Sequence, residues 1–342
     1  MCTPAIRVLK RHYPESFIAF LTEKESASLF TENPYLDELI ILDRSKYKNP
    51  IYMMKKIGGL RKQSFDLIID FFGNPRSAWI SFFSGAKYRL GPDLKGRGIL
   101  YNLKMPSNSQ PKYAAQTRLD DLQLLGIESN DMKLDCFISE KSKEFAKLFF
   151  KINKLSETDF IISVSATARR HFNRWPSERY AQICDWLVSE HNAKVILVWG
   201  PGEKEFAKKI SQLTKKEVIM SEPTPTLQEL GAILERCDFH IGNDNGTKHI
   251  AVAVGLPTIT IYGPHSHISW TFPDEKRHKW IQKEVDCLDC EKIKHRCEKL
   301  VCLNEIKVEE VQEKFNELLK ENSNDKKFQK ALHFRTNQCP LV

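Results

Sequence analysis

The chain has 342 residues, 41% hydrophobic and 28% charged, with a net charge of +8 from 52 Lys and Arg against 44 Asp and Glu. That length favours two domains over one core, and no run approaches the roughly 18 apolar residues of a membrane span. The mild basic excess suits an anionic substrate or membrane surface, whereas no recognition-helix signature or basic–aromatic interleaving points to nucleic acid.

The opening "MCTPAIRVLKRHYP" lacks the apolar core of a signal peptide, so a cytoplasmic setting is expected. Residues 4–13 read as a helix ended by Pro14. "SFIAFLT" (16–22), "ELIILD" (38–43) and "FDLIIDFFG" (65–73) are apolar runs of strand length, separated by Lys-rich segments of helical spacing. Such alternation predicts a parallel sheet with helices on its faces. Residues 102–115 are Pro- and Ser-rich and read as a loop. Helices are expected at 116–126 and 139–158. The pattern then restarts, with strands at 159–166, 194–200, 217–220, 238–242 and 258–263. Helices are expected at 177–190, from about 201 to 213, at 226–237 with Thr226 as N-cap, and at 308–319. The domains predicted are 1–152 and 153–320, followed by a polar, frayed tail at 321–342.

The segment "HIGNDNGTKHIAVAVGLPTITIYGP" (240–264) places a polar turn between an apolar strand and a small-residue helix. Ligands of open parallel sheets bind at such strand ends. The helix opening near Thr247 offers unpaired N–H groups and a positive dipole end, which suit a phosphate. Gly246 lets the backbone approach it. Asp244 fits sugar hydroxyls or a cap for its own helix, and His249, one turn in, can donate to a phosphate oxygen. Alternatively, both are structural: a capping aspartate and a satisfied histidine. "GPGEKE" (200–205) follows a strand and partly matches a dinucleotide fingerprint, with Glu205 in place of the third glycine. It keeps a nicotinamide-dependent oxidoreductase as a contender.

"CDFHIGNDNGTKHIAVAVGLPTITIYGP" (237–264) resembles the signature of glycosyltransferase family 9, the bacterial ADP-heptose:lipopolysaccharide heptosyltransferases. Asn245 stands where that family usually has Ser or Thr. "FDLIIDFFGNPRSAWISFFSGAKYRLG" (65–91), "RWPSERYAQICDWL" (174–187) and "WGPGEKEFAKKI" (199–210) resemble further family segments in the same order. The resemblance implies an α/β GT-B fold, two Rossmann-like domains with parallel sheets facing a cleft, donor on the second and acceptor on the first. It implies donor binding by Asp244, Asn245, Gly246 and His249, with Thr167 in the same site, and a ribose contact from Glu205 or Glu203. The family's phosphate-binding Lys is replaced by Asn173, and its role passes to Arg174 or Arg170, with Arg169 close by. Asn74, Arg76 and Ser77 are acceptor-side candidates, or alternatively a loop-to-helix cap.

The family opens with a strand ending in Gly-Asp, whose Asp is expected to be the general base. Here "CTPAI" (2–6) aligns with the segment after it, so that base is expected upstream of Met1 and the catalytic residue is unknown. Asp70 is expected to order its adjacent loop rather than replace it. The implied activity is inverting transfer of heptose from ADP-heptose to the lipopolysaccharide inner core, by a protein peripheral to the cytoplasmic face of the inner membrane. The alternatives are another sugar nucleotide or acceptor, or a nucleotide-sugar-binding protein without turnover. No Asp-x-Asp pair occurs, which fits transfer without a metal cofactor. "CLDCEKIKHRCEKLVC" (287–302) carries Cys287, Cys290, Cys297 and Cys302, a set that can close a structural zinc site or remain free thiols or a disulfide.

Overall fold

Short apolar strands, each followed by a helix, divide the chain into two α/β units that meet in sequence between Leu134 and Asp135. The computed structural model describes residues 1–105, 110–287, 297, 299–325 and 328–330. In the first unit the order is α1 (Thr3–His12), β1 (Ala19–Glu23), α2 (Lys24–Ala27), β2 (Glu38–Leu42), α3 (Pro50–Gln63), β3 (Leu67–Ile69), α4 (Pro75–Phe83), β4 (Tyr88–Pro92), β5 (Leu103–Met105) and α5 (Ala114–Asp121). β1 pairs with β2, and β3, β4 and β5 form a second sheet with β4 in the middle; all pairs are parallel.

Local chemistry sets the helix ends. Asn49 caps α3 by accepting from the Tyr52 N–H, Pro50 takes the first position, and the helix stops at Ser64, which is left-handed (φ 53°). α4 repeats the device with Asn74 and Pro75. Asp70 is buried after β3 and accepts from the N–H groups of Phe72 (3.0 Å) and Gly73 (2.9 Å) and from the Tyr101 hydroxyl (2.7 Å). It orders its loop, as expected. The 102–115 segment is not all loop: β5 lies within it, an edge strand too short for a periodicity signal.

The second unit comprises α6 (Glu140–Ile152), β6 (Ile161–Ser165), α7 (Ser177–His191), β7 (Lys194–Leu197), α8 (Lys204–Leu213), β8 (Ile219–Met220), α9 (Leu227–Glu235), β9 (Phe239–Asn243), α10 (Gly246–Ala253), β10 (Thr258–Ile261), α11 (His267–Trp270), β11 (His278–Ile281), α12 (Val301–Asn304) and α13 (Val308–Glu321). Its six strands form one parallel sheet in the order β11-β10-β9-β6-β7-β8. β11 was not expected, because "HKWI" has no apolar alternation. It is an edge strand held by its pairing with β10.

The division falls at Leu134 rather than at 152, because α6 packs within the second unit. The Ser139 N–H and Ser142 hydroxyl both reach the Gln228 side chain, and the Arg236 guanidinium lies 4.5 Å from the Phe150 ring centre. The tail is also more ordered than its polarity suggests. Phe328 is fully buried 6.0 Å from Phe239, and the Lys330 ammonium meets the Asp238 carboxylate at 2.9 Å. One aromatic anchor and one ion pair dock a polar segment; residues 331–342 lie outside those described. Among the described residues, no helix is long and apolar enough to cross a membrane.

Phe315 on α13 sits at the centre of this core, fully buried against Phe239 (5.0 Å between ring centres), His191 (4.9 Å) and Trp186 (5.5 Å). Phe315→Ala is expected to cost about 3–5 kcal/mol, read from urea unfolding. A loss below about 1 kcal/mol would contradict this placement of the core.

Candidate functional site

β7 and β8 lie on one side of β6, and β9, β10 and β11 on the other. The strand order therefore reverses between β6 and β9, the point where open α/β sheets bind ligands beyond their carboxyl ends. Residues 166–175 leave β6 there, and the Asp244-Asn245 turn leaves β9.

Two amides join these segments. Asn243, fully buried at the end of β9, accepts from the Trp175 N–H (3.1 Å) and donates to the Ala166 carbonyl. Asn245 donates to the Ser165 hydroxyl (2.7 Å) and the Thr167 carbonyl (2.8 Å), and its oxygen caps α10 by accepting from the Lys248 N–H (3.2 Å). Glycines allow the close packing this needs. A Cβ on Gly242 would stand 2.8 Å from the Ser165 carbonyl oxygen, and one on Gly263 2.8 Å from that of Phe172.

The cap of α10 is thus Asn245, and Asp244 serves another purpose. Its carboxylate meets the Lys248 ammonium at 2.7 Å and the His265 ring nitrogen Nδ1 at 3.2 Å. The Lys248 side chain is only 2% exposed. Its Nζ also donates to the Tyr262 hydroxyl (2.8 Å), which lies 2.8 Å from that of Thr271. Burial would raise the Asp244 pKa, but the charge of Lys248 and the hydrogen bonds from His265 and Lys248 outweigh it, holding the carboxyl well below its usual range. Burial lowers the Lys248 pKa, and Asp244 opposes that shift. A bare carboxylate at a helix N-terminus would compete with a phosphate for the same positive end. Paired with Lys248, Asp244 keeps acceptor capacity for hydroxyls without net repulsion.

Beside Gly246, the first residue of α10, there is open space: apart from its chain neighbours and the helix's own backbone, no atom lies within 4 Å of where its Cβ would stand. The first N–H groups of the helix face no intrahelical acceptor. Burial, then the nearby Lys248 charge, push the His249 pKa well below its ordinary value, so the ring is neutral. Its Nδ1 is buried without a hydrogen-bond partner, as is Oδ1 of Asn173. Neutral imidazole still offers one N–H.

The cations expected here are held at the same edge. Arg174 donates through Nε to the Ala168 carbonyl (2.5 Å) and lies 5.3 Å from the Phe206 ring centre. Arg170 lies 5.6 Å from that of Phe172. Thr167 is buried, its carbonyl bonded to Asn245. Glu203 accepts from the Gly200 N–H (3.0 Å) and closes that turn, while Glu205 is exposed on the first turn of α8. The Gly200–Gly202 turn follows β7, one strand away from the reversal. A dinucleotide fingerprint would follow β6, where residues 166–170 contain no glycine. The oxidoreductase reading therefore lacks its binding turn.

In the first unit, Asn74 accepts from the Ser77 N–H (2.9 Å), the Ser77 hydroxyl bonds the Asn74 carbonyl (3.1 Å), and Arg76 lies 3.6 Å from the Tyr47 ring centre. Of the four clustered cysteines, Cys287 is exposed, Cys297 partly buried, and Cys302 packed in the core with Leu303 and Ile306; Cys290 lies outside the described residues. Among the described residues, no three His, Cys, Asp or Glu side chains form a metal-holding group. The sequence reading missed Asn243, Lys248 and His265. The i,i+4 spacing of Asp244 and Lys248 was a usable signal, whereas nothing in the sequence marked His265.

Removing one partner of a buried ion pair leaves the other charge stranded. Lys248→Met is expected to destabilise the protein by about 3–5 kcal/mol, and Asp244→Asn in that background to restore most of it. Because the folded pKa of Asp244 is depressed, its contribution holds above the usual carboxylate range and is lost as pH falls through and below it. In Lys248→Met the acid limb should begin at higher pH. Urea unfolding across a pH series reads all three, and a single variant within about 0.5 kcal/mol of the parent would contradict the pairing. The His249 ring proton shifts should stay flat from about pH 5.5 to 8; a titration step there would show that its burial is misjudged.

The family model for glycosyltransferase family 9 (heptosyltransferase) matches residues 53–301. Lipopolysaccharide heptosyltransferase 3 of Escherichia coli K12 is 25% identical over 282 residues, 79% of this chain and 80% of its own. A solved family 9 glycosyl transferase from Veillonella parvula DSM 2008 is similar in fold at a TM-score of 0.83 and 23% identity, over 94% of this chain and 93% of its own. E. coli heptosyltransferase WaaC, solved with ADP-2-deoxy-2-fluoro heptose, gives a TM-score of 0.68 and 17% identity over 92% and 94%. The fold is GT-B, with two Rossmann-like domains, and the chain belongs to glycosyltransferase family 9.

Proposed function

We propose that this glycosyltransferase moves heptose from ADP-heptose to the inner core of lipopolysaccharide, inverting the anomeric carbon, at the cytoplasmic face of the inner membrane. The observation that carries the reading is the open first turn of α10, capped by Asn245, at the strand reversal beside an ion-paired Asp244. The relatives' names and the ADP-sugar in the WaaC structure support the choice of donor.

In such a transfer the acceptor oxygen bonds to the anomeric carbon as the bond from that carbon to the β-phosphate oxygen breaks. The leaving ADP takes the electron pair. α10 N–H groups and the guanidinium of Arg174 or Arg170 stabilise the charge that develops on it. Neutral His249 donates to a phosphate oxygen, Asp244 accepts from hydroxyls of the sugar, and Glu205 accepts from those of the ribose. Asn245 and Thr167 shape the site through the bond between them. The acceptor proton goes to a general base that is assigned to no residue of this chain. Arg76 is the acceptor-side contact; Asn74 and Ser77 hold its helix start. The transfer itself uses no metal in this scheme. A structural zinc on Cys287, Cys290, Cys297 and Cys302 is a separate part of the proposal, read by metal analysis of the purified chain.

The test is release of ADP from ADP-heptose in the presence of heptose-deficient lipopolysaccharide. Gly246→Val, which fills the space before the helix, and Arg174→Met are each expected to lower kcat/KM by about tenfold or more. Unchanged rates in both would remove the diphosphate from this place. Tight ADP binding with no release from any acceptor would instead favour a binder without turnover.

A further inference from the structure

α4 turns a stripe of aromatic side chains outward. Trp79, Phe82 and Phe83 follow i, i+3, i+4 spacing and are 49%, 42% and 46% exposed, while Ala78, Ile80 and Ser81 of the same helix are buried. Their ring centres lie 5.4 Å (Trp79–Phe83), 5.4 Å (Phe82–Phe83) and 6.1 Å (Trp79–Phe82) apart, so they form one patch. The Arg89 guanidinium lies 5.7 Å from the Phe82 ring centre and donates through Nε to the Leu100 carbonyl (3.0 Å). That contact brings Ile99, 80% exposed, to the rim of the patch. Three clustered aromatics at the surface exceed what a solvated helix face normally carries.

The surroundings are cationic. Residues 50–104 hold ten Lys and Arg against three Asp and no Glu, an excess of seven in a chain whose total excess is eight. Asp70 is buried in its loop, Asp93 is paired with Lys104 at 3.1 Å, and Asp66, before β3, is exposed. Lys87, four residues after Phe83 in the chain, and Lys95, in the loop after β4, are exposed. Arg61 of α3 reaches Gly85 at the end of α4.

We propose that this face of α4 docks the protein on an anionic lipid bilayer. Trp and Phe enter the region between headgroups and acyl chains, and the flanking cations meet lipid phosphates. A second copy of the chain fits the same patch poorly, because it would set one cationic rim against another, and lysine-rimmed surfaces are depleted at protein interfaces. The assignment deepens the proposed function by naming the membrane-facing surface. Arg76 lies in the first turn of the same helix, so docking brings that residue to the headgroup layer, where a lipid-anchored saccharide presents its sugars. It fails separately from the donor reading, since its test uses no sugar nucleotide.

The experiment is co-sedimentation of the full chain with vesicles of phosphatidylethanolamine and phosphatidylglycerol, and in parallel with phosphatidylcholine alone. The parent is expected to bind the anionic vesicles, more weakly as salt rises. Brominated lipid should quench its tryptophan fluorescence. Trp79→Ser/Phe82→Ser/Phe83→Ser should lose about tenfold or more in affinity while keeping the parent's unfolding temperature. Arg61→Glu/Lys87→Glu should lose binding without losing fold. No binding by the parent, or equal binding by the aromatic variant, overturns the proposal. So does a parent dimer on gel filtration that the aromatic variant abolishes, which would mark the patch as a protein interface.

Discussion

The donor-side architecture depends on one constraint: two asparagine side chains bind the end of β9 to the segment leaving β6. Parallel strands diverge in connectivity at this point, and nothing in the sheet ladder itself fixes the loops beyond it. Asn243 and Asn245 supply that fixation with bonds to Ala166, Trp175, Ser165 and Thr167. Each amide both donates and accepts, so each can satisfy two segments at once. Serine or threonine at position 245 could cap α10 but could not span both Ser165 and Thr167 while doing so.

A second consequence concerns charge. An anion site at a helix N-terminus tolerates a neighbouring carboxylate only if that carboxylate is neutralised without being protonated. Lys248 does this from inside the helix, one turn after Asp244; its ammonium also donates to the Tyr262 hydroxyl just past β10, which is paired in turn with the Thr271 hydroxyl just past α11. His265 holds the other carboxylate oxygen from the loop after β10. The carboxylate is therefore oriented from both sides, and orientation rather than net charge is what selective contact with hydroxyls requires.

Much of this was legible in the sequence because it rests on local rules. The strand–turn–helix at 238–253, the Thr226 cap and the apolar face of α13 follow from periodicity and capping alone. What was not legible depends on tertiary contact. β11 exists because β10 offers an edge, and α6 belongs to the second unit because Gln228 and Arg236 meet it. Phe328 is buried because Phe239 waits beneath a polar tail. The roles of Asp244 and Asn245 were exchanged in part for the same reason: either can cap a helix, and only the position of buried Lys248 decides which one does.

The most direct measurement is titration of ADP into isotope-labelled protein while following backbone amide signals. If the first turn of α10 receives the diphosphate, the amides of Gly246, Thr247 and Lys248 shift strongly and saturate with those of residues 166–174, while the amides of the first unit's β4 stay still. Saturable ADP binding that leaves Gly246 through His249 unmoved would contradict the account at its centre.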